Sequence, residues 1–94
     1  MFIEILSLHD FCREQGIRAE IVSLFDGFKL SFPNSDDFSD FVQHSYSYGA
    51  TRGYVEPAIG CDDDYTAVSL EDAKKLVLEH RQKLDPDGTQ KENP

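Results

Sequence analysis

Tryptophan is absent from this 94-residue chain, methionine occurs once and cysteine only twice. Cys12 and Cys61 lie far apart, with no C-x-x-C or H-x-x-x-H spacing nearby. That excludes a disulfide framework and a zinc finger. The expectation is two free thiols, Cys12 in the core and Cys61 near a loop. Basic residues are also scarce: nine lysines and arginines against eighteen acids leave a charge of -9. Affinity for nucleic acid rests on cations that neutralise phosphates, so direct nucleic-acid binding is not expected. Long apolar runs are missing too. The opening "MFIEILSLHD" has no basic segment, and Glu4 interrupts its apolar stretch. Neither a signal peptide nor a membrane span is expected, and the chain reads as cytoplasmic.

What is present suits one small folded unit. Hydrophobic residues make up 39% of the chain, enough for a single core but not for a large internal cavity. Ser7, Asn34 and Ser69 each stand three residues ahead of an acid, the pattern of a capping box. These starts predict helices over about 8–15, 36–44 and 70–84. The first carries Leu8, Phe11 and Cys12 and stops at Gly16. The second carries Phe38, Phe41 and Val42 and ends at Gly49. The third turns Leu70, Ala73, Leu76 and Val77 inward, with Glu71–Lys75 and Glu79–Lys83 pairs outside.

Strands fill the intervals. Phe2–Leu6 alternates. Ala19–Phe25 and Phe28–Phe32 flank Asp26-Gly27, a strong hairpin signal, with Phe28, Leu30 and Phe32 facing in. Gly53–Ile59 reads as a strand that Pro57 confines to an edge or a bulge. Tyr65–Val68 is a weaker strand. The order is β-α-β-β-α-β plus a C-terminal helix, an α+β class with the ferredoxin-like split βαβ arrangement: an antiparallel sheet with helices on one face. The alternative is a single N-terminal helix over 2–15. Residues 1–84 form the domain, and 85–94, without an apolar anchor, a flexible tail.

Chemistry-bearing motifs fail on spacing. In "GCDDDY" (Gly60–Tyr65) an EF-hand loop starting at Asp62 would place Ala67 and Ala73 where a glycine and a glutamate are needed. Three carboxylates also raise the pKa of the adjacent Cys61 thiol and so oppose an activated thiolate. "GATRG" lacks the Lys-Ser/Thr of a phosphate loop. Arg52-Gly53-Tyr54 is followed by Val-Glu-Pro, which breaks the aromatic alternation of an RNA-recognition strand. His9, His44 and His80 fall on three different predicted helices. No catalytic residue, metal site or cofactor is expected, and the chain reads as a non-enzyme.

Charge distribution points elsewhere. Between Asn34 and Asp64 there are seven acids and one base, so -6 of the -9 falls in a third of the chain, together with three of the four tyrosines, and Tyr65 follows directly. Tyrosine and arginine are enriched at binding hot spots. Asp36, Asp37, Asp40, Tyr46, Tyr48, Arg52, Tyr54, Asp62, Asp63 and Asp64 are therefore the candidate partner-binding residues. The matching partner is a basic protein surface, met as an inhibitor or a nucleic-acid mimic would meet it. Two other readings fit: a small-ligand binder or enzyme subunit with a pocket near Tyr46, Tyr54 and Cys61, and a homo-oligomer joined through an exposed sheet or the last helix.

Overall fold

The structure is a computed structural model, and it describes residues 2–36, 39–47, 49–59 and 66–86. The chain forms a small α+β unit with a four-stranded antiparallel sheet and three helices. Helix α1 spans Glu4–Glu14, strands β1 to β4 span Glu20–Leu24, Gly27–Ser31, Asp40–Gln43 and Glu56–Ala58, and helices α2 and α3 span Leu70–Glu79 and Arg81–Leu84. The strands lie side by side in chain order. The order is thus α-β-β-β-β-α-α among the described residues, where the sequence led us to expect β-α-β-β-α-β plus a C-terminal helix.

Two segments account for the difference. Residues 2–6 are not a strand: α1 begins at Glu4, and Ile5, Leu8 and Cys12 form its buried stripe. Eleven residues of helical period outweigh five of alternation. Ser7 therefore lies inside the helix and does not cap it. The helix ends as predicted, at Gly16 with φ of 75°. The Gly16 N–H donates to Arg13 O at 3.1 Å and the Ile17 N–H to Cys12 O at 2.9 Å, a Schellman motif.

The second correction is the segment after Asn34, where β3 replaces the expected helix over 36–44. Phe41 and Gln43 are buried while Asp40 and Val42 are half-buried, the alternation of a strand. Gln43 supplies what α1 lacks. Ile3 gives that helix no side-chain cap. Instead Gln43 Oε1 accepts the Ile5 N–H at 3.0 Å, and its Nε2 donates to Glu4 Oε1 at 2.9 Å. A polar side chain on the inner face of β3 thus caps a helix 38 residues away. Without a second helix, Gly49 caps none. It and Gly53, both with positive φ, flank a 3-10 turn at Ala50–Arg52.

Other expectations hold. β1 and β2 form the hairpin, and Leu30 and Phe32 are buried. Pro57 sits in β4 at the sheet edge. Of the expected strand Tyr65–Val68, Tyr65 lies outside the described residues and only Val68 pairs, in an isolated bridge to Val55. Ser69 Oγ accepts the Asp72 N–H at 3.2 Å and caps α2. That helix is shorter than expected and breaks at His80; beyond it, Leu84 and Asp85 are both buried. Its exposed ion pairs are Glu71–Lys74 and Asp72–Lys75, three residues apart rather than four.

Register sorts the sheet into two faces. Ile21, Leu30, Phe41 and Pro57 form one row across it. Leu30 and Phe41 on that side join Ile5, Leu8 and Cys12 of α1 and Ala73 and Val77 of α2 in a single core. The rows on either side of it are Val22, Lys29, Val42 and Glu56, and Glu20, Ser31, Asp40 and Ala58. These point to the opposite face, where none of them is buried.

Candidate partner interface

The open face of the sheet carries charge in a defined pattern. Lys29 is diagonal in the ladder to Glu20 on one side and to Asp40 on the other, and Glu56 is diagonal to Asp40. Diagonal neighbours lie within reach of long side chains. Two carboxylates, Glu20 and Asp40, thus flank Lys29 diagonally, Glu56 lies beyond Asp40 on the edge strand, and Arg18 also pairs with Glu20 at 3.9 Å. Partial burial pushes the Asp40 carboxyl above its usual range, with Glu56 adding to the rise and Lys29 opposing it. Extending the outward parity of Lys29 and Ser31 across the hairpin would have found Glu20. The charge count alone, which began at Asn34, left it out.

Asp40 thus costs stability when it ionises in place. The native state holds its proton more tightly than the unfolded chain does. Its contribution is most favourable below about 3.8, the ordinary value, and is lost as pH rises through the raised native value. Asp40→Asn is expected to be more stable than the wild type at neutral pH, with the difference vanishing below pH 3.8. Urea midpoints at the two pH values check this; equal gains at both would contradict it.

The expected interface residues divide between the two ends of the sheet. Asp36 is exposed in the turn leading to β3, at the end where Asp40 lies. Tyr46, Arg52 and Tyr54 lie toward the other end, because β4 runs antiparallel to β3 with Glu56 opposite Val42. The Arg52 guanidinium sits 5.2 Å from the centre of the Tyr54 ring, so those two are brought together. Asp37, Tyr48, Asp62, Asp63 and Asp64 lie outside the described residues, as does Cys61.

Two residues at the second end were not anticipated. Leu24 pairs with Gly27, which puts Phe25 and Asp26 in the turn, one position earlier than the Asp26-Gly27 signal suggests. Phe25 takes φ of 55°, a left-handed conformation that a bulky side chain seldom adopts. Phe25 is 71% exposed, and Tyr46 beside it is 79% exposed. The rings meet edge to face at 5.3 Å, with His44 5.0 Å from Phe25. Asp26 clamps the neighbouring loop: Oδ1 accepts the Ser45 N–H at 2.9 Å, and Oδ2 accepts the Ser45 hydroxyl. Those bonds hold the Asp26 carboxyl below its usual range. The Tyr46 N–H donates to His44 Nδ1 at 3.0 Å.

The histidines do not sit on three helices as expected. His9 is in α1, His44 follows β3 and His80 marks the break between α2 and α3. Burial pushes the Cys12 thiol to about 12, leaving it an inert core group at neutral pH. Among the described residues no group of three His, Cys, Asp or Glu side chains is placed to hold a metal ion. One concavity of about 290 Å³ lies between α1 and the start of β1, lined by His9, Arg13, Ile17, Arg18, Ala19 and Glu20. It is far in the chain from the pocket expected near Tyr46, Tyr54 and Cys61. No described helix is long and apolar enough to cross a membrane. No protein-family model matches the chain, and no curated protein or solved structure is significantly similar to it.

Proposed function

We propose that this chain is a small, acidic, non-enzymatic binding module that engages a basic protein surface through the open face of its sheet. The observation that carries the reading is the pair Asp40 and Glu56, with Lys29 and Glu20 alongside, on a sheet face that no described helix covers. An overall charge of -9 steers a cationic partner toward it and repels acidic ones. An inhibitor or nucleic-acid mimic aimed at a nucleic-acid-binding protein is the narrower form of this reading. Competition between the captured partner's nucleic acid and this chain tests that narrower form.

The test is affinity capture on the immobilised full chain, compared at low and high salt. The double variant Asp40→Asn with Glu56→Gln is expected to weaken capture about tenfold at low salt, for two carboxylates at roughly 0.7 kcal/mol each, and to flatten the salt dependence. Both side chains are only half-buried, so folding survives the change. Capture that is equally strong and equally salt-dependent in the variant would sink the proposal.

A further inference from the structure

We infer that the hairpin tip formed by Phe25, Asp26 and Tyr46 is a recognition site for an arginine side chain of the partner. This rests on the proposed basic partner but concerns a different part of the molecule from the sheet face. Elsewhere on this surface, two aromatic rings are covered by the chain's own cations. The Lys74 ammonium lies 5.5 Å from the centre of the Phe11 ring, and the Arg52 guanidinium 5.2 Å from that of Tyr54. Phe25 and Tyr46 are the most exposed large hydrophobic residues described, and among the described residues no cation covers either ring.

The tip is built to hold these rings in place. Phe25 is kept in a left-handed conformation, and Asp26 and His44 tie residues 45 and 46 to the turn. Backbone strain of this kind persists only where surrounding contacts enforce it. The two rings stand at 78° to one another, so they form a corner with a carboxylate beside it. Residues 24–28 and 44–47 contain Asp26 and neither a lysine nor an arginine. Asp26 engages Ser45 and its own backbone N–H, which together do not exhaust the roughly four lone-pair sites of a carboxylate.

Exposed aromatic rings with a carboxylate on the adjoining residue are complementary to a planar cation. Guanidinium fits better than ammonium, because it stacks on a ring and offers paired N–H donors to a carboxylate. Unpaired nucleic-acid bases also stack on exposed rings, but the -9 charge and Asp26 oppose the phosphates they carry.

The isotopically labelled full chain is titrated with a glycine–serine peptide bearing arginine, with its lysine and citrulline counterparts, and with a thymidine oligonucleotide. The arginine peptide is expected to shift the amide signals of Phe25, Asp26, Ser45 and Tyr46. The lysine peptide should bind several-fold more weakly and the citrulline peptide not measurably. Tyr46→Ala, at a well-exposed position, keeps the fold and should weaken the arginine peptide about tenfold. Phe25→Gly removes the other ring while relieving the positive φ, so weakening there cannot be ascribed to unfolding. Equal binding by Tyr46→Ala, or preference for the oligonucleotide, would overturn the inference. So would the absence of any shift at the tip. Shifts confined to Val22, Lys29, Val42 and Glu56 would overturn it as well, yet leave the sheet-face proposal standing.

Discussion

Replacing Asp85 with alanine is expected to cost about 3–5 kcal/mol, from two charge-assisted hydrogen bonds lost and their donors stranded. Asp85 is 1% exposed. Its Oδ2 accepts the Arg18 N–H at 2.6 Å and its Oδ1 accepts from Asn34 Nδ2 at 2.7 Å. Those partners lie on the link from α1 to β1 and on the turn from β2 to β3. One side chain after α3 therefore ties together three segments 67 and 51 residues apart. Arg81 reinforces the same junction by donating to Gln15 O. A domain of this size is stable by only about 5–14 kcal/mol, and each kcal/mol moves Tm by about 4–8 °C, so Tm should fall by at least about 12 °C. Asp85→Asn should be nearly as damaging, because both named partners are donors and an amide turns an N–H₂ toward one of them. Asp10→Ala, which breaks only the exposed pair with Arg13, should change stability by less than about 0.5 kcal/mol. An Asp85→Asn variant with wild-type Tm would refute the acceptor argument.

Asp85 also marks where the sequence stops being informative. In the chain it stands in "KLDPDG", beside a proline and a glycine, and reads as the start of a tail. Nothing local predicts burial, since the groups it serves are distant. Gln43 is the same case. Beside Phe38, Phe41 and Val42 it reads as the polar side of a helix, and its inward position makes sense only once the N-terminus of α1 lies against it. Features that rest on local physics were legible: the β1–β2 hairpin, the confinement of Pro57 to an edge, the Ser69 cap, the Gly16 stop and the inward set of α2. "FIEIL" was ambiguous because two periods overlie one another, and only the reach of the stripe from Ile5 to Cys12 decides for helix. At the candidate site, Asp40, Tyr46, Arg52 and Tyr54 stood out as residue types. Their separation to opposite ends of β3 did not, because it depends on residues 40–43 being extended. Phe25 was missed because the turn signal Asp26-Gly27 assigned the left-handed position to glycine.

Gly27 is held in the strand by its neighbours, and Gly27→Ala is expected to destabilise the fold by about 3 kcal/mol or more, at or beyond the upper end of ordinary overpacking. A Cβ built there would lie 2.0 Å from Gln43 O and 2.8 Å from the His44 Cα. Both are backbone atoms, so no side chain can swing aside. Either β3 moves off, breaking the pairing of Phe28 with Gln43, or the hairpin shifts and its turn is rebuilt. This also accounts for the conformation of Phe25: with glycine required inside β2, the positive φ of the tight turn falls on the residue before Asp26. The effect would not stay local. Gln43 caps α1 and His44 lies beneath Phe25, so displacing them loosens the helix start and the hairpin tip together. Gly16→Ala is the comparison: it meets an unfavourable φ of 75° at a helix end and should cost about 1 kcal/mol. Urea unfolding reads both variants, and amide exchange at Ile5 reports whether the Gln43 cap is released. A Gly27→Ala protein no less stable than Gly16→Ala, with Ile5 still protected, would show that β3 can yield to the added methyl without releasing either the cap or the tip.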